Sequence, residues 1–81
     1  MGNVQRALGR RVRSLRVGLK LSQEQLAEDS DLHWTHVSGI ERGVYDVKLS
    51  TLTRVAKGLG VSLADLLAGV GDPQRSRRSP K

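Results

Sequence analysis

The sequence predicts an all-α domain of five short helices, and three observations predict it. Apolar residues recur at steps of three and four through most of the chain, helix-opening residues stand before those runs, and glycines stand after them. Val4, Leu8, Val12, Leu15 and Leu19 form the stripe of a first amphipathic helix that runs to about Gly18, with basic residues on its other faces. Ser22 followed by Gln25 is a capping box, so a second helix opens there, turns Leu26 and Ala27 inward, and ends near Asp29 or Ser30. A third helix is expected from about His33 to Glu41, with Val37 and Ile40 inward and Gly43 as its C-terminal glycine. Ser50 or Thr51 is the expected cap of a fourth helix that buries Leu52, Val55, Ala56 and Leu59 and stops at Gly60. Ser62 and Asp65 form a second capping box, opening a short fifth helix through Leu63, Leu66 and Leu67 that stops near Gly69.

The chain of 81 residues has room for one domain, expected over 1–69, followed by a basic tail over 70–81. Pro73, Pro80 and the run Arg75-Ser76-Arg77-Arg78 bury nothing, and that tail is expected to be disordered. With no cysteine, neither disulfides nor a thiolate zinc site supplement the core. No apolar run approaches the roughly 18 residues of a membrane span. Nor does the start carry the apolar stretch of a signal peptide, so no membrane partner is expected and the cytoplasm, beside the nucleoid, is the expected location. The formal net charge is +6, which suits a polyanionic partner, but the charge is uneven. Residues 1–20 hold six basic side chains and no acid, whereas 21–69 hold four basic and seven acidic residues, a net of 4 − 7 = −3.

The gap of about three residues between the second and third helices is the spacing at which one helix crosses a duplex backbone and the next enters the major groove. Leu21-Ser22-Gln23-Glu24-Gln25-Leu26-Ala27, the stretch from Thr35 through Ile40-Glu41-Arg42-Gly43, and Leu59-Gly60-Val61-Ser62-Leu63-Ala64-Asp65-Leu66 together resemble the Xre family of lambda-repressor-like helix-turn-helix domains. The resemblance covers about residues 7–68, with three motifs in order. The sub-pattern Ser30 to Thr35 leading into Ile40-Glu41-Arg42-Gly43 is similar to controller proteins of restriction-modification systems. It implies a compact five-helix domain that binds double-stranded DNA as a homodimer on a palindromic operator, regulates transcription, and needs no cofactor.

Carried onto this sequence, the resemblance places Gln23 on a phosphate while it braces the third helix. It also joins Arg16 to Glu41, where a planar guanidinium can fork onto the carboxylate. Trp34, Thr35, His36 and Gly39 are the candidate base contacts. Trp34 either meets a thymine methyl or sugar or packs against the second helix or a partner, and Gly39 permits close approach. His33, Ser38, Arg42, Tyr45 and Lys48 are the candidate phosphate contacts. Arg10 or Arg11 could touch flanking phosphates, while the rest of the first helix's charge is a solvated face. Asp31 replaces the family's usual turn glycine, yet Asp tolerates the left-handed conformation. Val47 replaces a common proline.

Leu63, Leu66, Leu67 and Val70 are more apolar surface than so short a helix needs, and are the expected dimer face. His33 and His36 lack a third ligand at a metal-binding spacing, and Ser22, His36 and Asp46 make no persuasive triad, so neither a metal nor catalysis is expected. A toxin or other protein remains an alternative partner, as does a protein-interaction module that reads no DNA.

Overall fold

The computed structural model describes residues 3–71. All regular elements among them are helical: α1 (Asn3–Gly18), α2 (Gln23–Asp29), α3 (Trp34–Arg42), α4 (Leu49–Leu59) and α5 (Leu63–Leu66). Each helix sends its apolar stripe to one core, made of Leu8 and Val12, Leu26 and Ala27, Val37 and Ile40, Val55, Ala56 and Leu59, and Leu66. The two ends of the α1 stripe stay outside it, with Val4 53% and Leu19 51% exposed. Leu19 lies in the closing turn of α1, where Lys20 at φ 61° redirects the chain toward α2.

The capping box at α2 is complete: Gln25 N donates to Ser22 Oγ (3.0 Å) and Ser22 N to Gln25 Oε1 (2.7 Å). After α2 the chain turns through Asp31, which holds the left-handed conformation at φ 58°. Residues 30–33 thus separate α2 from α3, because His33 is the cap of α3 rather than its first residue. Gly43 at φ 69° closes α3, its amide donating to Ile40 O (3.1 Å) and that of Val44 to Gly39 O (3.2 Å).

Two helix starts differ from expectation. α4 opens at Leu49 behind Lys48, which makes no side-chain cap, so Ser50 and Thr51 fall inside the first turn. Leu49, the first helical residue, is 65% exposed. At α5 only half of the expected box forms, Asp65 N donating to Ser62 Oγ (2.9 Å). This helix has four residues and ends at Leu66, earlier than expected, before a series of turns that includes Gly69 and Gly71.

Two glycines let helix pairs approach closely. A Cβ on Gly9 of α1 would come 2.6 Å from Ile40 O and closer still to Glu41 O, so α1 lies directly on the last carbonyls of α3. A Cβ on Gly58 of α4 would strike Ser30 Oγ and come 3.1 Å from Leu26 Cδ1. Because the obstruction at Gly9 is backbone, Gly9→Ala is expected to destabilise the domain by about 1–3 kcal/mol in urea unfolding. Gly18→Ala, at a position with nothing within 4 Å, is expected to stabilise it by roughly 0.5 kcal/mol.

Candidate nucleic-acid interface

A buried ionic brace sits behind the third helix. Arg16, reaching from the end of α1, donates from Nε to Glu41 Oε2 (2.6 Å) and from Nη2 to Glu41 Oε1 (3.0 Å), a two-pronged fork. Its Nη1 donates to Leu21 O (2.8 Å) in the turn before α2. Gln23, the first residue of α2, adds its Nε2 to Glu41 Oε1 at 3.1 Å. Hydrogen bonding to Glu41 holds the Arg16 guanidinium above its ordinary value, and burial pulls the other way. The Gln23 amide therefore has one proton on Glu41 and a second one to donate elsewhere.

The exposed side of α3 starts at its cap. His33 Nδ1 accepts from Thr35 N (3.2 Å) and lies 2.8 Å from Thr35 Oγ1. Since this nitrogen accepts an amide proton, the Thr35 hydroxyl donates to it as well, leaving an accepting lone pair and a methyl group for a ligand. Trp34, 46% exposed, stacks on His33 with ring centroids 6.1 Å apart. Ser38 Oγ accepts from Arg42 Nε (3.3 Å), which lays the guanidinium along the helix. Lys48 is exposed at the start of α4. Gln5 Nε2 donates to Asp46 Oδ1, tying the neighbouring loop to α1.

Two expectations are corrected here. Gly39 is buried, and what approaches it closely is the Tyr45 ring: a Cβ on Gly39 would lie 2.6 Å from Tyr45 Cε2. Tyr45 is no outward phosphate ligand either. It packs against the core, and its hydroxyl donates to His36 O (2.8 Å). Burial pushes its phenol above the usual 10.0, while Arg42 lowers it. Folding thus favours the neutral phenol, and this contribution is lost as pH rises above 10.0. The sequence points to a phosphate role for Tyr45 because it lies outside every helical stripe; a glycine inside a helix with an aromatic residue shortly after that helix was the available signal of its inward packing.

The proposed partner face shrinks as well. Leu66 is fully buried in its own core and has no surface to offer, whereas Leu63, Leu67 and Val70 pack against that core only partly buried. Arg11 is drawn inward too, donating to Asp65 O (2.7 Å) and Leu66 O (3.3 Å) and closing the end of α5. Arg6, Arg10 and Arg13 stay exposed along α1. Residues 72–81, which hold most of the basic tail, lie outside the described residues. Among the described residues, no group of three or more His, Cys, Asp or Glu is placed to hold a metal, and no helix is long and apolar enough to cross a membrane.

A family model described as helix-turn-helix matches residues 12–66, from the middle of α1 to the end of α5. The control protein C.BamHI of Bacillus amyloliquefaciens is 42% identical over 66 residues, covering 80% of this chain and 82% of that protein. The control protein C.SmaI of Serratia marcescens is 45% identical over 69 residues, with 85% and 82% covered. Among solved structures, the restriction-modification controller protein C.AhdI from Aeromonas hydrophila matches with a TM-score of 0.75 at 37% identity, covering 76% of this chain and 94% of that one.

Breaking the brace by removing one partner leaves the other charge buried, which costs about 3–5 kcal/mol. Arg16→Met and Glu41→Gln are each expected to lower stability on that scale, and the double variant by much less than their sum. Equal additive losses in thermal melts of the three variants would show the pair to be uncoupled.

Proposed function

The chain belongs to the helix-turn-helix family of DNA-binding transcriptional regulators, and from that premise we propose that it works as a homodimeric controller reading a palindromic operator with α3. The observation that carries this reading is the division of α3 into two sides. Val37 and Ile40 are buried and Glu41 is clamped from behind, while Trp34, Thr35 and Arg42 face solvent. A rigid helix with an open polar side beside the start of a second helix is what major-groove entry requires.

In this reading Trp34, Thr35 and His36 meet base edges. The indole offers apolar contact to a thymine methyl or sugar, and its single N–H excludes a two-pronged base contact. Thr35 offers its methyl and an accepting oxygen. His33, Ser38, Arg42, Lys48 and the second proton of the Gln23 amide take phosphates, with the α2 N-terminus adding its dipole. Gly39 and Tyr45 serve from behind the surface. A single module covers little DNA, so two copies joined through Leu63, Leu67 and Val70 supply the second half-site. Assignment to the controller type is supported by the relatives C.BamHI and C.SmaI, matched along most of their length.

Selection from randomised duplexes is expected to enrich an inverted repeat with half-sites about 10 base pairs apart. Lys48→Ala is expected to weaken all sequences alike and reduce the salt slope by about one. Thr35→Ala should instead relax the preference at one position, by about 1–3 kcal/mol. Absence of any enriched sequence would end this reading. For the dimer, sedimentation at micromolar concentration is expected to show two copies for the wild type and one for Leu67→Glu; a monomeric wild type would remove the homodimer.

A further inference from the structure

Tyr45 lies beyond the Gly43 cap and reaches back to α3 at two positions. Its ring covers Gly39, where even a methyl group would meet Cε2 at 2.6 Å and the hydroxyl at 3.1 Å. Its hydroxyl donates to the carbonyl of His36 (2.8 Å), and its ring meets the His36 imidazole edge-on, with centroids 5.6 Å apart and planes at 64°. Gly39 and His36 are three residues apart, hence neighbours on one side of the helix. The tyrosine is therefore wedged against that side, with Gly39 as its socket and His36 as its wall.

We propose that Tyr45 is a positioning residue for base recognition, holding the His36 imidazole in one orientation and so setting which base pair His36 distinguishes. On an open helix surface a histidine samples several rotamers and loses that freedom on binding. A ring packed along one side removes some of them beforehand. Gly39 belongs to the same device, since any side chain there expels the phenol. The proposal deepens the reading that α3 contacts bases and rests on it. It also separates Tyr45 from a phosphate ligand, whose loss would weaken every sequence equally.

The test is selection from randomised duplexes by the full chain and by His36→Ala, Tyr45→Ala, Tyr45→Leu and Tyr45→Phe. Tyr45→Leu keeps apolar cover over the core should the alanine variant fail to fold. Tyr45→Ala and Tyr45→Leu are expected to lower the preference about fivefold at the same base pair that His36→Ala affects, the low end of what one mismatched pair costs. Tyr45→Phe, which keeps the ring, is expected to retain most of it. In parallel melts, Gly39→Ala is expected to destabilise the chain when Tyr45 is present and much less beside Tyr45→Ala. A uniform fall in affinity with an unchanged base profile, or a Gly39→Ala cost that does not depend on Tyr45, would overturn the proposal. A wild type that enriches no sequence would overturn the reading of α3 itself, and the melts would still report whether the socket exists.

Discussion

The fork between Arg16 and Glu41 is the constraint on which the exposed side of α3 depends. One guanidinium serves the end of α1, the turn at Leu21 and the end of α3, and the Gln23 amide completes the set from the start of α2. Three helices therefore meet at one carboxylate, which adds a directional tie between α2 and α3 to their shared core. The arrangement needs close backbone approach, which Gly9 permits two helical turns before Arg16 on the same side of α1. Apolar residues of similar volume would pack as well in energy alone, but they would lack the directionality of four hydrogen bonds.

Much of the fold was legible because its signals are local. The stripe of α1, the capping box at Ser22 and Gln25, and the glycine stops at Gly43 and Gly60 depend on near neighbours in the chain, and the structure has them where the pattern puts them. The start of α4 was less legible, because Ser50 and Thr51 are good caps in isolation while the chain enters helical geometry two or three residues earlier, behind Lys48. The close approaches at Gly9 and Gly58 left no trace in the periodicity, since a glycine has no side chain to contribute to it. Val4 and Leu19 show the opposite failure, apolar residues in register with a stripe that has run past the element it packs on.

The candidate site divides in the same way. Arg16 and Glu41 were readable from family resemblance, and the start of α3 from helix spacing. What the sequence did not reveal is how many polar groups are already engaged within the chain: the Thr35 hydroxyl on His33, Ser38 with Arg42, the Tyr45 hydroxyl on His36 and one proton of Gln23 on Glu41. Apart from the Ser38–Arg42 contact along one helix, these are tertiary or cap-geometry facts. They turn a row of apparently free donors into a preorganised surface with few remaining choices, so less side-chain freedom is lost on docking.

The inward turn of Arg11 changes what the basic first helix means electrostatically. Of the six cations before residue 21, Arg16 is sequestered by a carboxylate and Arg11 by the carbonyls that end α5. Counting lysines and arginines therefore overstates the mobile-ion exchange available at any polyanion surface. The helix also acquires a mechanical duty, because the Arg11 guanidinium holds the last carbonyls of α5 and so ties the start of the stretch bearing Leu67 and Val70 to the opposite end of the domain.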